Sequence, residues 1–354
     1  MPKFSLEAEN GKVTMRDVAR HAQVAQSTVS RVLSRGREYD GGNDTAFKVA
    51  ISEDTARRVQ DSIRELGYYP NLAARSLRGQ KTQMIALMIA DIANPYYHQM
   101  VRRIQDIAHL HKYDVLISNT DHLHENEHHF IEGIIRRPVD GVILVPYHLS
   151  VVDIDALIRR TGVSVVALGQ HLDSDSIDTV YADDGTATYE AVSWLIKEKG
   201  HRHIAFVGVS HTAPGERRKS GYMQALQEAG LLVAHGYIVD GDFSLESGEG
   251  AMNKLMDLAR PPTAVFACND LMALGCLAVA RARGKRVPSE VAVIGFDNIP
   301  EATRHQPSLT TVAQFPNEMG ECLANALFER IGGLETETAR RYNVPCKLIV
   351  RDST

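Results

Sequence analysis

The chain has 354 residues, a length that accommodates a small unit together with a larger body of two lobes. Its formal net charge of -5, from 39 Lys and Arg residues against 44 Asp and Glu residues, argues against non-specific nucleic-acid binding by the chain as a whole. The charge is unevenly distributed, however, because residues 12–81 hold about 13 basic and 8 acidic residues, a net charge of roughly +5. The remainder of the chain therefore carries roughly -10. This asymmetry predicts that only the amino-terminal part binds phosphates.

The first predicted elements are two short helices in the stretch VTMRDVARHAQVAQSTVSRVLS, residues 13–34. Thr14 is placed to cap the first helix with Asp17 as its partner three residues on. Apolar residues recur at helical spacing in both helices, and together with Val24 in the turn they predict one small shared core; those of the helices are Val18, Ala22, Val29, Val32 and Leu33. The opposite face of the second helix carries side chains whose donors and acceptors suit base edges in a major groove, namely Gln26, Ser27, Ser30 and Arg31. An ordinary helical hairpin with a solvated polar face is the alternative.

A third helix and a short capped segment follow. Ser52 is placed to cap the third helix, and Gly67 is placed to end it ahead of Pro70. Asn71 begins NLAARSL, residues 71–77, which spans about two turns and is too short to be a stable helix alone in water. It is therefore predicted to order only against a partner, for which DNA is the obvious candidate.

These segments together resemble the amino-terminal domain and hinge of the lactose repressor (LacI/GalR) family of transcription regulators. The resemblance implies that the hinge helices of two subunits pair in the minor groove of double-stranded operator DNA, and that Leu77 wedges between base pairs and bends the duplex. It places Gln26, Ser27 and Arg31 at base-reading positions. It also implies contacts to the DNA backbone for four further residues, namely Thr28, Ser30, Asn71 and Arg75. Without this context, Leu77 would be interpreted as a surface-covering hydrophobe.

The sequence departs from the family pattern in three places. Gln23 occupies the turn position usually held by glycine, so the turn is expected to be strained. Ala25 occupies the position of the usual cap, a loss of roughly 1 kcal/mol. Between Leu33 and Ile51 the chain carries an insertion, residues 34–50, where the family usually has a handful of residues. Arg35 and Arg37 at its start suggest added phosphate contacts, although a tolerated surface loop explains the insertion equally well.

From residue 84 onward, strand-like apolar runs alternate with helical patterns. The runs are MIALMIAD, YDVLISN, DGVILVP and VSVVAL, and then HIAFVGV, GYIVDGDF, TAVFACND and VAVIGFD. Such alternation predicts an α/β core of two doubly wound parallel-sheet lobes facing one another across a cleft. This part of the chain is similar to a sugar-binding periplasmic protein, as is the core of the family.

The resulting predicted organisation has three parts. A helix-turn-helix domain covers residues 12–70, a hinge helix and linker cover 71–83, and an effector-binding and dimerisation core covers 84–354. The core is expected to divide into lobe 1, residues 84–182 and 316–342, and lobe 2, residues 183–315 and 343–354. The chain would thus cross between lobes near 183, 314 and 342.

The resemblance also implies an effector site at the strand ends of the two lobes. Arg218, Asn269 and Asp297 match the polar triplet that grips sugar hydroxyls in the family, and Arg218 is preferred to Arg217 by its spacing from Gly221. The remaining residues assigned to the site are Asp91, Asn94, Tyr96, Phe243 and Gln314, with Tyr97 as a further aromatic candidate. Helix capping is the alternative interpretation of Asn269 and Asp297. Val145 and Gln170 lie where relatives often carry polar contacts, and the apolar Val145 leaves the nature of the sugar open.

The histidine-rich segment TDHLHENEHHF raises the alternative of a metal site. His124 and His128 lie four residues apart on a predicted helix, a spacing that could hold zinc, and His122 and His129 are close by. The segment is polar and lacks cysteine, so a solvated helix start is the preferred interpretation and no metal is predicted. Chelation that altered folding or operator binding would reverse this preference.

Other function classes find less support in the sequence. No GxGxxG or GxxxxGK element follows a strand and no nucleophile elbow is present, so neither an enzyme nor a cofactor is predicted. A sugar receptor without DNA binding is the alternative function, and the helix-turn-helix pattern argues against it.

The remaining features predict the compartment and the assembly. The four cysteines lack metal or redox spacing, no apolar run is long enough to span a membrane, and the start MPKFSLEAENGK lacks the apolar core of an export signal. A cytoplasmic location with no membrane partner is therefore expected. Paired hinge helices require a homodimer, and no leucine heptads at the end of the chain indicate a tetramer. Some relatives respond to a phosphorylated partner protein, so such a partner stays open.

Overall fold

The computed structural model describes residues 13–35, 51–69, 81–172, 174–333 and 338–354. The chain divides into two compact units, Met1–Gln80 and Lys81–Thr354. The hinge residues Asn71, Arg75 and Leu77 and nearly all of the insertion lie outside the described residues.

The amino-terminal unit contains three helices within its described residues. They are α1 (Met15–His21), α2 (Gln26–Arg35) and α3 (Glu53–Leu66). The predicted capping box is present: the Asp17 amide donates to the Thr14 hydroxyl, and the Thr14 amide donates to the Asp17 carboxylate at 2.9 Å. Ser52 caps α3 by accepting from the Thr55 amide, and Gly67 ends it in the left-handed conformation.

The core of this unit confirms the predicted apolar pattern. Val18 of α1, Val29 of α2 and Val59 of α3 are fully buried against one another. The turn between α1 and α2 contains the expected strain, because Gln23 adopts a φ of 52°. The Ala25 carbonyl accepts from the Thr28 amide at 2.9 Å at the start of α2, where the alanine side chain offers no cap.

The second unit consists of two α/β lobes. In chain order, its first elements are β1 (Met84–Ile89), α4 (Pro95–Leu110), β2 (Asp114–Asn119), α5 (His124–Arg136), β3 (Gly141–Leu144), α6 (Val151–Thr161), β4 (Ser164–Leu168), β5 (Asp178–Tyr181) and α7 (Asp184–Lys197). The remainder are β6 (Ile204–Gly208), α8 (Ala213–Glu228), β7 (Ile238–Asp240), α9 (Leu245–Met256), β8 (Ala264–Ala267), α10 (Asp270–Ala282), β9 (Ala292–Asp297), α11 (Pro300–Arg304), β10 (Thr310–Ala313), α12 (Pro316–Ile331), β11 (Arg341–Asn343) and β12 (Lys347–Ile349).

Within the described residues, each lobe is built on one six-stranded sheet. The order in lobe 1 is β11-β5-β4-β3-β1-β2, and all neighbouring strands are parallel. The order in lobe 2 is β12-β10-β9-β8-β6-β7, in which β12 alone runs antiparallel to its neighbour. Because β12 enters directly from lobe 1, it runs against β10 at the sheet edge, a position where doubly wound folds accept an antiparallel strand.

In the part of the chain that the structure describes, the backbone passes between the two sheets three times. It crosses after β5, after β10 and after β11, since β10 belongs to lobe 2 whereas α12 packs on β3, β4 and β5 of lobe 1. The strand order reverses between β1 and β3 in lobe 1 and between β6 and β8 in lobe 2. In open parallel sheets, ligands bind at these switch points, at the carboxyl ends of the strands.

Candidate effector cleft and DNA-reading face

The exposed face of α2 carries the predicted base-reading residues. Gln26, Ser27 and Arg31 are exposed, whereas Thr28 and Ser30 are half-buried. Val29 and Val32 face the opposite way into the core, so helical spacing leaves the three polar side chains accessible together. The structure thus brings these five predicted DNA-contacting residues onto one helix.

A cavity lies between the facing strand ends of the two lobes. It contains about 650 Å³ of space, counted with the solvent at its mouth. Seven of the eight predicted effector residues line it, namely Asn94, Tyr96, Arg218, Phe243, Asn269, Asp297 and Gln314. The eighth, Asp91, does not line the cavity; its carboxylate accepts from the Ala93 amide at 2.8 Å in the turn before α4.

The lobe 1 wall is aromatic and follows the ends of β1 and β3. The Asn94 side chain caps α4 by accepting from the Tyr96 amide at 3.0 Å, and this fixes the first turn of that helix. The hydroxyls of Tyr97 and Tyr147 are 2.9 Å apart, and the Tyr96 hydroxyl lies 3.3 Å from the Met319 sulfur of α12. Burial raises the pKa of both Tyr96 and Tyr97 well above the ordinary value, so the wall presents neutral phenols.

The lobe 2 wall is charged and follows the ends of β6, β8 and β9. The Arg218 guanidinium is buried, lies 3.8 Å from the centre of the Phe296 ring and donates from Nη1 to the Cys268 carbonyl. Asn269 accepts from the Met272 amide as the cap of α10 and donates to the Phe243 carbonyl at 2.9 Å. Helix capping and cavity lining therefore coincide at Asn269 instead of excluding each other.

Asp297 lies at the end of β9 in an uncommon backbone conformation, with a φ of 115°. Its carboxylate accepts from the Gln314 amide at 2.6 Å, which links the end of β9 to the crossing after β10. Burial raises the pKa of Asp297 to about 7, although Arg218 and the Gln314 hydrogen bond act in the opposite direction.

A second arginine, which the sequence interpretation set aside, also lines the cavity. Arg217 binds Asp184 side-on, with Nε to Oδ1 at 2.6 Å and Nη2 to Oδ2 at 3.1 Å. Within the described residues, its buried Nη1 has no hydrogen-bond partner, and neither has the buried Nε of Arg218. Asp184 was not among the residues assigned to the site from the sequence, although a carboxylate just after β5 was a usable signal. For Arg217, the only signal in the sequence was its position beside Arg218.

Close helix packing fixes the position of these arginines. A Cβ atom at Gly221 would lie 2.2 Å from the Gly185 carbonyl, so glycine there allows α8 to approach α7. Arg217 and Arg218 lie one turn earlier on α8 and are thereby held beside Asp184, at the start of α7. Gly221 thus has a direct structural role in the geometry of the site.

Aromatic side chains from both lobes meet at one end of the cleft. The Phe243 ring of lobe 2 stacks on His122 with ring centres 5.2 Å apart and contacts Tyr147 at 5.8 Å. The 147–149 loop that carries Tyr147 is held by Glu127 of α5, whose fully buried carboxylate accepts from three backbone amides, those of Tyr147 at 2.7 Å, His148 at 3.1 Å and Leu149 at 2.8 Å. Sequence reasoning missed Tyr147, although a tyrosine just after a buried strand was a usable signal.

The described part of the chain shows neither a metal-binding cluster nor a membrane-spanning helix. No group of three or more His, Cys, Asp or Glu side chains is arranged there to hold a metal ion. No helix in that part is long and apolar enough to cross a membrane.

Comparisons with known proteins decide the family. A model of bacterial regulatory proteins of the lacI family matches residues 14–71, and a model of a periplasmic binding protein-like domain matches residues 195–354. Catabolite control protein A of Priestia megaterium is 35% identical over 344 residues, which cover 97% of this chain and 99% of the relative. The chain belongs to the lacI family of bacterial regulatory proteins. The HTH-type transcriptional repressor CytR of Escherichia coli is 34% identical to this lacI-family regulator over 96% of each chain.

Solved structures agree with the fold of this lacI-family member. The transcriptional regulator CelR in its cellobiose complex shares 30% identity and a TM-score of 0.70, with 97% of this chain and 100% of that chain covered. The lac repressor dimer bound to operator and the anti-inducer ONPF has a TM-score of 0.79 at 24% identity, with 97% and 99% covered, and shows the same fold. The predicted family and fold class are confirmed.

Proposed function

We propose that this protein is a sequence-specific transcription regulator, acting as a repressor, whose operator binding is controlled by a sugar-like small molecule in the cleft between the lobes. One observation carries the proposal: a single chain combines a helix-turn-helix unit having an exposed polar face with a two-lobed core having a polar and aromatic cleft. Similar proteins are named as repressors, and two solved relatives hold cellobiose and ribose.

On the DNA side, we assign base reading to Gln26, Ser27 and Arg31. Their exposure on α2 suits entry into a major groove, where amide and guanidinium groups can bond base edges. Backbone contacts are assigned to Thr28, Ser30, Asn71 and Arg75, and the minor-groove wedge is assigned to Leu77. Because paired hinges place two half-sites symmetrically, we expect a homodimer on a two-fold symmetric operator.

On the effector side, we assign hydroxyl recognition to Arg218, Asn269 and Asp297 and ring-face contact to the tyrosines of lobe 1. The formal charges of the lining balance when Asp297, whose pKa burial raises to about 7, is ionised, since Arg217 and Arg218 then stand against Asp184 and Asp297. A buried site with balanced charges favours an uncharged, hydroxyl-rich ligand, because an unpaired charge there would lose its hydration without compensation. This is the reason for proposing a neutral sugar or sugar derivative.

The proposed control is a two-state change in the angle between the lobes. A ligand that contacts both walls binds one angle better, and it therefore shifts the population of the state in which the hinge helices of the dimer can pair. A differential affinity of about 1–3 kcal/mol is the usual scale of such coupling. Regulation, and no catalysis, is the activity proposed, and the place of action is the cytoplasm, where an operator is accessible.

The experiment that tests this function is selection of bound DNA from a random duplex pool, repeated with a panel of sugars that includes cellobiose and D-ribose. We expect enrichment of a two-fold symmetric site whose occupancy changes with one compound. Arg218→Ala should abolish that change and leave the affinity of the ligand-free protein for DNA nearly intact. A protein that binds a sugar and enriches no DNA would be a sugar receptor, and the turn at Gln23 and Ala25 would then be the first place to look for the cause.

A further inference from the structure

The histidine-rich start of α5 lies outside the residues that line the cleft. Its two imidazoles at helical spacing, His124 and His128, face one another: their Nε2 atoms are 3.1 Å apart and their ring centres 4.4 Å apart. His124 is exposed and His128 half-buried, so solvent reaches the pair. The structure thus brings two good metal ligands together at a solvent-accessible surface that has no part in the proposed regulatory function.

We propose that His124 and His128 form a binding site for a divalent transition-metal ion of the zinc class. An ion placed about 2.0–2.1 Å from each of two nitrogens that are 3.1 Å apart subtends an angle of about 98°, which is compatible with tetrahedral or octahedral ligand geometry. Both rings can therefore bind one ion with little movement. Water would fill the other positions, since the described residues provide no third side chain arranged for coordination.

The segment also has the H-E-x-x-H spacing of zinc hydrolases, in the order His124, Glu125, Asn126, Glu127, His128. The structure separates this site from a hydrolase centre. Catalytic zinc centres use three protein ligands, and the described residues offer no third side chain arranged beside His124 and His128. Glu127 stands at a spacer position of the motif, where its fully buried carboxylate accepts from three backbone amides. The site is therefore proposed for ion binding and not for catalysis.

The electrostatic surroundings offset one unfavourable factor. The amino-terminal end of a helix carries partial positive charge, which disfavours a cation in the first turn of α5. The Asp153 carboxylate, which accepts from the Ser150 hydroxyl at 2.6 Å, supplies a negative charge near both imidazoles, and Glu125 adds another in the first turn of α5. The third imidazole nearby, that of His148, lies with its ring centre 6.0 Å from that of His124.

The position of the site connects it to the cleft. An ion held by His124 and His128 would link the two ends of the first turn of α5. That turn carries Glu127, which holds the loop of Tyr147, and the His148 ring in the same loop lies 2.8 Å from the His122 carbonyl. The ion would thus restrict the motion of the loop that carries Tyr147 and so help to hold Tyr147 and His122 against Phe243.

The test is calorimetric titration of the full-length protein with zinc chloride and, separately, with nickel chloride. His124→Gln and His128→Gln each remove one ligand, and His129→Gln is the matched control, because His129 is exposed on the same helix and outside the pair. We expect one ion bound per chain in the wild type, affinity lowered about tenfold or more in each ligand variant through loss of the chelate, and no change in the control. X-ray absorption of the zinc-loaded protein should show two imidazole nitrogens at about 2.0–2.1 Å.

Equal ion affinity in all four proteins would overturn the proposal, because the observed binding would then come from other histidines of the chain. Absence of one-to-one binding in the wild type would overturn it as well. Circular dichroism and thermal unfolding without metal check that the variants keep their fold, which we expect at these solvent-accessible positions. The test needs neither operator nor sugar, so its result is independent of the proposed regulatory function.

Discussion

Replacing Asp178 with Asn is the perturbation whose size the structure defines best. Asp178 begins β5, is fully buried, and accepts hydrogen bonds from Arg330 at the end of α12 and from Arg340 just before β11. The backbone amide of Arg340 donates to the same carboxylate at 2.7 Å. One carboxylate therefore ties the two segments that return late in the chain to the sheet of lobe 1.

The expected loss follows from the pKa of this carboxyl. Burial raises the pKa of Asp178, but the hydrogen bonds from Arg330 and Arg340 outweigh that effect and hold it at about 2, against an ordinary 3.8. A difference of about 1.8 pH units corresponds to about 2.4 kcal/mol of stability at neutral pH. Removing one partner of a fully buried ion pair costs about 3–5 kcal/mol. Because both arginines are partly exposed, we expect the smaller loss of about 2.4 kcal/mol for Asp178→Asn.

Urea unfolding followed by circular dichroism measures this loss, with Asp175→Asn as the matched control at an exposed neighbouring position. The lowered pKa means that the stabilisation is present above pH 4 and is lost as the pH falls through 2. The difference in free energy of unfolding between wild type and Asp178→Asn should accordingly shrink from about 2.4 kcal/mol at pH 7 to about 1.3 kcal/mol at pH 3. A difference that stays constant over this range, or one no larger than that of the control, would refute the assignment.

Three other predictions concern the site and the DNA-binding unit. Glu127→Gln should lower the free energy of unfolding by about 2 kcal/mol and also lower sugar affinity, because a side-chain amide cannot accept from all three backbone donors. Unchanged sugar affinity in calorimetry would contradict the role of Glu127 in placing Tyr147. Because the pKa of Asp297 is raised to about 7 in the folded state, that state binds the Asp297 proton more tightly than the unfolded state, and the free energy of unfolding should fall from about pH 5 to 8. Asp297→Asn should flatten this pH dependence in urea unfolding. An equally steep decline in the variant would show that Asp297 is not its source. Ala25→Ser should add a side-chain cap and stabilise α2 by about 1 kcal/mol, which hydrogen exchange would detect as slower exchange of the α2 amides. Unchanged exchange rates would argue against capping at this position.

The helix-turn-helix unit was predictable in detail because its signals are local. Thr14 and Ser52 fix the starts of two helices through side chains that accept from backbone amides three residues on, those of Asp17 and Thr55. Gly67 ends α3 because glycine readily adopts the left-handed backbone conformation. The strain at Gln23 was predictable for the same reason, since one residue sets the sign of φ in the turn. The strands β1 and β3 were predictable from apolar runs alone, because both faces of a parallel sheet are buried.

The cleft was less predictable, because its residues are brought together by contacts between distant segments. Asp91 and Asn94 follow the same strand three residues apart, and only the helix start at Pro95 decides that Asn94 lines the cavity while the Asp91 carboxylate bonds its own turn. Arg217 and Arg218 are adjacent in sequence and were treated as alternatives, yet Asp184 lies close enough to both to hold them in one site. Spacing along one helix ranks such neighbours, but a carboxylate from another helix determines that both of them take part.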